Sequence, residues 1–496
     1  MDTHLLYQTE GEVCDNKIAT GKYINNVNTT GWGNLEIETF KGFEPEIQAY
    51  AAGVLEGILT ELQIRYHYMN TVQGMCKGFK TYCRKLYSYL SKNMDWIHSQ
   101  VLEKPKTDIY WRQQFASRSP TYSSCNCQEE LFDLTKFLQK KPDKEHDDPD
   151  PGKCSGLVKV TDGNKDLLMS HVAMSGYNTM NRVLKMYKFS FDEEFVPGHT
   201  YSFSGYAGAL ASADDYTLVS SGLLSIETTI SVFNTSLYSD KYIKPEGQLH
   251  CWVRSIIANQ LARTGKEWTD IFARYNSGTY NNQWTVLDYK LFKPGQELPN
   301  NDLLWILEQV PGYTMSRDVT WFLRKYRYWP SYNIPFLNKI SRLSMFDVKA
   351  QENDWWRWGY CPRARIFHRD HHKVVDLDSL KDLMRYNDYT HDDFSKCTCS
   401  PPYTAEAAIS TRGDLNDPNG TYALSGMGFR NHGSLDYKGT NYALFQKLRF
   451  QAIGGPTYDP LPAFDWRTTK VKANHFGQPD LWNFKPLSLI GKMKLV

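Results

Sequence analysis

The residues best suited to chemistry are a cysteine and a histidine on either side of a predicted hairpin. Apolar runs flank Asp162-Gly163, a dipeptide that favours a two-residue turn between antiparallel strands. In that register paired positions sum to 325, which places Cys154 opposite His171 with both side chains on one face. A thiol and an imidazole held together in this way can cooperate in nucleophilic catalysis. From geometry alone, a buried cysteine beside an ordinary histidine stays an open alternative.

The segment just before Cys154 has the composition of an exposed linker. Residues 140–153 read KKPDKEHDDPDPGK, with three prolines and no large apolar side chain. A surface loop between domains explains such a stretch, but an accessible loop that ends at a cysteine is also what self-cleavage requires. Breaking the bond between Lys153 and Cys154 would give Cys154 a free α-amine. Because the ordinary pKa of that amine is about 7.7–8.0, it could act as general base toward its own thiol.

Other polar clusters in the sequence do not require a catalytic explanation. The stretches HRDHH at 368–372 and HDD at 391–393 could suggest metal ligands, but solvated loops account for both. Asp214-Asp215 could be a carboxylate pair, yet neighbours in a strand point to opposite faces, and a turn role fits as well. No phosphate-binding glycine loop and no Gly-x-Ser-x-Gly elbow is present. We therefore expect no metal and no cofactor.

Composition and charge limit the classes of partner. The chain has 496 residues, a formal net charge of +2 and no basic stripe with interleaved aromatic residues, so nucleic acid is not an expected partner. No apolar run approaches the length of a membrane-spanning helix, so we expect no transmembrane segment. The N-terminus does not resemble a signal peptide. Either the protein is cytosolic, or the chain is numbered after leader removal or from an incomplete gene model.

Three glycosylation sequons favour the second alternative. They begin at Asn28, Asn234 and Asn419, although each triplet alone often arises by chance. Cys76 and Cys83 lie close together in a helical-looking stretch and could close a short disulfide loop in an oxidising compartment. The Cys-x-Cys pairs at 125–127 and 397–399 are too tightly spaced for unstrained bridges of their own.

The elements that must position these residues form an α+β pattern. Alternating residues at 35–39 predict a strand, and apolar residues on recurring faces predict helices between 44 and 96 and from 128 to 139. After Lys153 the sequence becomes rich in predicted strands, interrupted by a predicted helix over 177–189. Strands grouped apart from helices predict α+β layering.

Several longer motifs point to one family. They occur in the expected order and cover most of the chain, and they include CSGLVKV at 154–160, ETT at 227–229, YNSGTYNNQW at 275–284, YWPSYNIP at 328–335 and PRARIF at 362–367, of which YNSGTYNNQW is highly specific. In these motifs the chain resembles the phospholipase B-like, or lamina ancestor, family. The first motif resembles the start of that family's mature large chain.

The resemblance implies an N-terminal nucleophile hydrolase with a four-layer αββα sandwich, similar to penicillin V acylase and acid ceramidase. Members of the family are lysosomal or secreted glycoproteins whose precursors split into a smaller and a larger chain. For this sequence it implies an N-terminal part over 1–139, a linker over 140–153 and a catalytic chain over 154–496, with the first and last forming one αββα unit. We leave a homodimer open.

The resemblance also implies a set of site residues. By motif, the nucleophile falls on Cys154, and the family's histidine falls on His171, in agreement with the hairpin count. An asparagine falls on Asn333, whose amide could donate to a tetrahedral oxyanion. An arginine falls on Arg363, whose fork of donors could hold a carbonyl and whose charge favours a thiolate.

Two positions depart from the family pattern. Met174 stands where the family usually has a tryptophan in the wall of the substrate site, and Lys153 precedes the nucleophile where small residues are common. We expect a hydrolase that cleaves acyl esters of glycerophospholipids through a self-exposed N-terminal cysteine. An N-acyl amidase is the nearest alternative, and a catalytically weak lysosomal lipid-binding glycoprotein is another.

Overall fold

The described part of the chain alternates between long helices and short strands. The computed structural model describes residues 16–104, 108–116, 128–139, 154–212 and 216–488. The helices are α1 Val27–Thr30, α2 Pro45–Leu59, α3 Glu61–Thr71, α4 Lys80–Glu103, α5 Ile109–Ala116, α6 Gln128–Phe137, α7 Cys251–Leu261, α8 Gly265–Phe272, α9 Thr320–Tyr326, α10 Asn338–Ser344, α11 Phe346–Glu352, α12 Pro362–Asp370, α13 Leu377–Met384 and α14 Tyr442–Phe445.

The strands fall into two large sheets and one small one. They are β1 Ala19–Asn26, β2 Trp32–Thr39, β3 Cys154–Val160, β4 Leu167–Ser175, β5 Val183–Lys188, β6 Thr200–Gly205, β7 Tyr216–Val219, β8 Leu223–Thr229, β9 Asn282–Asp288, β10 Leu304–Val310, β11 Tyr313–Asp318, β12 Tyr328–Ser331, β13 Gly433–Ser434, β14 Asp436–Thr440, β15 Gln451–Gly454, β16 Phe464–Asp465, β17 Leu481–Trp482 and β18 Leu487–Ser488. The nine-stranded sheet runs β1-β2-β5-β6-β7-β8-β9-β10-β11, and β2 and β5 pair in parallel. The seven-stranded sheet runs β12-β3-β4-β14-β15-β18, with β13 also paired to β4.

The two large sheets pack face to face. The main core cluster joins residues of β3 and β4 with residues of β7, β8 and β10, so it fills the space between the sheets. Gly156 shows the closeness of this packing, because a side chain there would collide with Ile226 of β8. All seven residues of β3 are buried, including the polar Ser155 and Lys159, because the strand is covered on both faces.

Helices cover the two outer faces. A second core cluster places α2, α4, α5 and α7 against β2, β5, β6 and β7 of the nine-stranded sheet. On the far side of the seven-stranded sheet, α13 packs on β4 and β14, and Gly439 of β14 faces Leu380 of that helix. The expected four-layer αββα sandwich is thereby confirmed.

The hairpin around the candidate nucleophile forms, but the predicted register is wrong. Cys154 pairs with Ala173, and His171 pairs with Gly156. The strands are joined by the longer loop 161–166, which contains a 3-10 turn with Gly163 at φ 67°. A shift of two residues preserves which face each side chain occupies, because side chains alternate with a period of two. Cys154 and His171 therefore still share a face.

A second prediction is also wrong. Residues 177–189 do not form a helix; a short 3-10 turn is followed by strand β5, which lies inside the nine-stranded sheet. A short apolar run that is buried on both faces can be read either as a helix or as a central strand. Within the described residues, no helix combines the length and apolar character needed to cross a membrane.

The structure places the cysteines that lie in its described residues. Cys76 and Cys83 form a disulfide between the turns that follow α3 and the first turn of α4. Cys397 and Cys399 lie together, with Cα atoms 5.3 Å apart, and the expectation that their spacing is too tight for an unstrained bridge stays a prediction. The remaining Cys-x-Cys pair, at 125–127, and the predicted linker 140–153 with Lys153 lie outside the described residues.

Candidate active site

Cys154 is the first residue of β3 and is held at three of its atoms. Its backbone N–H donates to the Oδ1 atom of Asn333 over 3.3 Å. Its carbonyl oxygen accepts a hydrogen bond from Arg363. Its Sγ lies 3.6 Å from a carboxylate oxygen of Glu227. Only 5% of the surface of Cys154 is exposed. It contacts Asn333 and Arg363, two residues that line the pocket described below.

His171 lies on the same face as Cys154 and is fully buried. Its Nε2 lies 2.8 Å from the backbone carbonyl of Glu227. Burial, and after it the charge of Lys438, lowers the pKa of His171 well below its ordinary value. The ring is therefore neutral, with Nε2–H as the donor and Nδ1 as an acceptor. Nδ1 has no hydrogen-bond partner among the described residues.

Asn333 and Arg363 come together behind the nucleophile. Asn333 follows β12 in a left-handed conformation with φ 69°, and its Nδ2 donates to the carbonyl of Thr229 over 2.8 Å. Arg363 lies in the first turn of α12, which Pro362 starts. Its guanidinium donates to Asn333 Oδ1 and to the carbonyl of Tyr332, both over 2.8 Å. The carbonyl groups that Arg363 binds are therefore backbone carbonyls of the site, those of Cys154 and Tyr332.

Glu227 is a site residue that the sequence did not single out, although it begins the ETT motif. Its carboxylate accepts from the hydroxyl of Tyr280 over 2.9 Å and lies beside the thiol of Cys154. The Sγ of Cys154, a ring nitrogen of His171 and a carboxylate oxygen of Glu227 lie within 4.8 Å of one another. A single charged residue among the uncharged residues of the buried strand LLSIETT was the available signal.

A buried charge cluster lies next to this group. Asp436 forms ion pairs with Arg182 over 2.6 Å and with Lys438 over 2.7 Å, and all three side chains are buried. Burial alone would raise the pKa of Asp436, but the charges of Arg182 and Lys438 lower it to about 2. Asp436 also accepts from the backbone N–H of Ala173, the residue paired with Cys154. The cluster is therefore bonded directly to the strand pair that carries the nucleophile.

A β-bulge explains how Asp436 reaches that position. Lys438 pairs with His171, whereas Ser434 pairs with Met174, so β13 and β14 carry one extra residue between these pairs. The carboxylate of Asp436 takes the place of a backbone acceptor for Ala173. Bulges of this kind are frequent beside active sites, where they redirect side chains.

A pocket opens next to Asn333 and Arg363. It is a narrow opening with room for about one water molecule, and part of it is open to solvent. Its wall combines aromatic, aliphatic and polar side chains, namely Ser231, Tyr332, Ile334, Trp355, Trp356, Cys361, Pro362, Glu406 and Ala407. Such a mixture suits a ligand with an apolar body and a polar end.

The other predicted site residues lie further from this pocket. Met174 is buried in the main core, and strand alternation directs it to the opposite face from His171 and Ala173; its role in a substrate wall stays a prediction. Asn28 and Asn419 are exposed. Asn234 is half-buried, and its Nδ2 donates to the carbonyl of Leu343.

The layer order defines an αββα protein, and Cys154 is the first residue of β3, a strand inside its seven-stranded sheet. The chain belongs to the phospholipase B family, since the family profile described as Phospholipase B matches residues 19–117 and 120–489. This confirms the family resemblance found in the sequence motifs.

Curated relatives agree over nearly the whole chain. The chain is 55% identical to "Putative phospholipase B-like 3" of Caenorhabditis elegans over 98% of its own length and 87% of that protein. It is 38% identical to "Putative phospholipase B-like 2" of Homo sapiens, over 95% of this chain and 85% of that one. Human "Phospholipase B-like 1" is 35% identical over 98% and 90% of the two chains. Among solved structures, penicillin V acylase from Agrobacterium tumefaciens matches with a TM-score of 0.33 and 10% identity, covering 68% of this chain and 100% of that one.

Proposed function

We propose that this protein is a phospholipase B-like hydrolase whose nucleophile is Cys154, made N-terminal by self-cleavage. The observation that carries the proposal is the support of Cys154 at its nitrogen, its carbonyl oxygen and its sulfur by three different buried side chains. A structural cysteine in an apolar core needs no such polar contacts. Perturbed and polar groups gathered around one thiol are typical of a reactive site.

Self-cleavage would come first. The sulfur of Cys154 attacks the carbonyl carbon of Lys153, and the acyl group passes from the Cys154 nitrogen to its sulfur, giving a thioester. Water then hydrolyses the thioester, which leaves a carboxylate on Lys153 and a free α-amine on Cys154. The contact between the Cys154 nitrogen and Asn333 supports this step, because the same oxygen can accept from the new amine.

Turnover would use that amine as the base. The amine takes the proton of the thiol, and the thiolate attacks the ester carbonyl, forming a C–S bond and an oxyanion. As the oxyanion collapses, the C–O bond breaks and the alcohol takes the proton from the ammonium. Water, deprotonated by the amine, then attacks the thioester and releases the fatty acid, while the proton returns to the sulfur. No cofactor is needed for this sequence.

The proposed substrate is an acyl ester of a glycerophospholipid. The names of the relatives support it, and so does the mixed aromatic and polar wall of the pocket at Asn333 and Arg363. An N-acyl amide presents the same carbonyl chemistry and is the natural alternative. A lipid-binding protein without turnover is the third.

Intact mass and turnover of the purified protein test the proposal. We expect fragments that meet at Lys153/Cys154, and release of fatty acid from phospholipid by the cleaved form. Cys154→Ala should abolish both processing and turnover, whereas Cys251→Ala, at another buried cysteine outside the disulfides, should preserve both. Release from N-acyl amides but not phospholipids would select the amidase. Unchanged processing and turnover in Cys154→Ala would exclude this nucleophile.

We also propose that the protein is a glycoprotein of the lysosome or the secretory route. The exposure of Asn28 and Asn419 and the disulfide at Cys76 support this location. Treatment with an endoglycosidase should lower the mass of material from the native host, and Asn419→Gln should remove one of the glycan increments. A mass equal to that of the bare polypeptide before treatment would contradict the proposal.

A further inference from the structure

A wide surface cleft adjoins the pocket beside Asn333 and Arg363. Its volume is about 680 Å³, and it is widely open to solvent. Ile334 and Trp356 line both the cleft and the pocket. Asn333 lines the pocket and Lys339 lines the cleft. These two residues are six positions apart, so the chain between them spans roughly 20 Å at most. The cleft is therefore continuous with the candidate active site.

The charge of the cleft is one-sided. Four cations line it, Arg317, Lys339, Arg342 and Arg357, and its lining contains no aspartate or glutamate. Arg357 is paired with Asp354 over 3.0 Å. In the described part of the chain, no acidic side chain pairs with any of the other three. Because the whole protein carries only +2, three unpaired cations in one cleft form a local positive field rather than part of a general one.

Apolar side chains surround these cations. Met315, Phe336 and Trp358 line the cleft, and all three are half-buried. A free inorganic anion would make no favourable contact with exposed apolar side chains. Cations combined with exposed apolar side chains suit the boundary between lipid head groups and acyl chains.

We propose that this cleft, lined by Arg317, Lys339 and Arg342, docks the protein on a lipid surface by binding the phosphate of anionic phospholipids. The inference deepens the proposed function, since it names anionic phospholipids as the preferred class and places their head groups beside the pocket. The unpaired cations bind the phosphate oxygens. Met315 and Trp358 enter the interface next to them.

Vesicle binding tests the inference without relying on turnover. The Cys154→Ala protein is mixed with vesicles of phosphatidylcholine alone or with phosphatidylglycerol added, and sedimentation measures the bound fraction. We expect binding only when phosphatidylglycerol is present, weakening as salt rises. Removing one cation near an anionic surface costs about fivefold in affinity, so Lys339→Glu with Arg342→Glu should lose at least about twenty-fivefold.

A matched pair of variants controls for net charge. Lys470→Glu with Lys472→Glu makes the same change in charge at exposed positions outside the cleft, and it should bind vesicles nearly as well as the parent. Met315→Ser should weaken vesicle binding with no change in charge. Equal losses in both charge-reversed pairs, equal binding to both kinds of vesicle, or complete displacement by millimolar inorganic phosphate with no effect of Met315→Ser would each overturn the proposal. Because the parent protein in this assay already lacks the thiol, failure of the hydrolase proposal would leave these outcomes unaffected.

Discussion

Lys438 lies directly opposite His171 across strands β14 and β4. Both side chains occupy the face that meets the nine-stranded sheet, the face that also carries Cys154. Lys438 is fully buried and ion-paired with Asp436. Burial lowers the pKa of Lys438 to about 8, although the negative charge of Asp436 acts against this. Below that pH the site therefore contains a fixed ammonium group beside its histidine.

We expect Lys438→Met to make Cys154 a weaker nucleophile at neutral pH. Loss of the ammonium removes a positive charge that favours the thiolate, so the pH midpoint of Cys154 alkylation should rise by about one unit. Asp436 keeps its pair with Arg182, which limits the loss of stability. The rate of alkylation by iodoacetamide, measured against pH with thermal unfolding in parallel, checks the prediction. Lys438→Arg retains the charge and should keep the parental midpoint; a folded Lys438→Met protein with the same midpoint would contradict the assignment.

Asn333 combines a backbone role with a side-chain role, and two substitutions separate them. Its φ of 69° lies in the left-handed region, which glycine adopts without strain. Asn333→Gly removes the amide that accepts from the Cys154 nitrogen and from Arg363 and that donates to Thr229. Because this amide is also the predicted oxyanion donor, the substitution should lower kcat by about 100- to 1000-fold. Asn333→Ala removes the same amide and adds backbone strain, so it should unfold about 1 kcal/mol more easily than the glycine variant. Single-turnover rates and urea unfolding report the two effects separately; equal stabilities would argue against strain at this residue.

Glu308 should make the protein more stable in mild acid. It is fully buried, and burial raises its pKa from 4.5 to about 7, although hydrogen bonds from Gln283 and from the N–H groups of Phe336 and Leu337 oppose the rise. The folded protein therefore binds this proton more tightly than the unfolded chain does. The resulting stability is fully present below pH 4.5 and is lost as the pH rises through 7, a change of about 3 kcal/mol.

Urea unfolding between pH 4 and 8 measures this dependence. Glu308→Gln should flatten the pH profile over that range, because the substituted side chain does not titrate. The exposed Glu297→Gln is the matched control and should leave the profile unchanged. A Glu308→Gln protein with the parental slope would show that other groups cause the dependence.

The hairpin illustrates what the sequence could predict. Alternation fixed the shared face of Cys154 and His171, and this survived a wrong register because the error was two residues, one full period. The turn itself was not predictable, since Asp162-Gly163 fits a two-residue turn as well as the longer loop that the structure has. The face of the strand that a side chain occupies follows from local alternation, whereas the register of the strand pair depends on how the whole loop closes.

Long-range partners explain what the sequence missed. Asp436 and Lys438 are distant in sequence from Cys154, and only the order of strands in the sheet brings them beside it. Glu227 comes from the other sheet and reaches the thiol across the space between the two layers. A charged residue in a buried strand signals a special environment, but no local pattern states which residues will surround it. The family motifs did bring Asn333 and Arg363 together with Cys154. A motif shared within a family reflects the whole fold, so it can identify partners that are distant in sequence where local patterns cannot.

Glu227 provides a test of how the precursor starts to cleave itself. Before cleavage the nitrogen of Cys154 belongs to an amide, so it cannot accept the proton of the thiol. Another base must serve in that first step, and the carboxylate of Glu227 lies 3.6 Å from Sγ. After cleavage the free α-amine can take over as base. The two steps should therefore depend on Glu227 to different degrees.

We expect Glu227→Gln to slow self-cleavage by at least about 100-fold, the usual contribution of a positioned general base. Turnover per cleaved molecule should fall much less, because the mature site uses its own amine. Intact mass against time gives the cleavage rate, and titration of the reactive thiol gives the number of mature sites against which turnover is normalised. Tyr280→Phe is the control: it removes the hydroxyl that donates to Glu227 but keeps the carboxylate, so cleavage should continue at close to the parental rate. If the Glu227→Gln protein cleaved normally while its turnover per mature site collapsed, the carboxylate would act in the mature reaction instead. His171 would then become the candidate base for the precursor, because its neutral ring leaves Nδ1 as an acceptor.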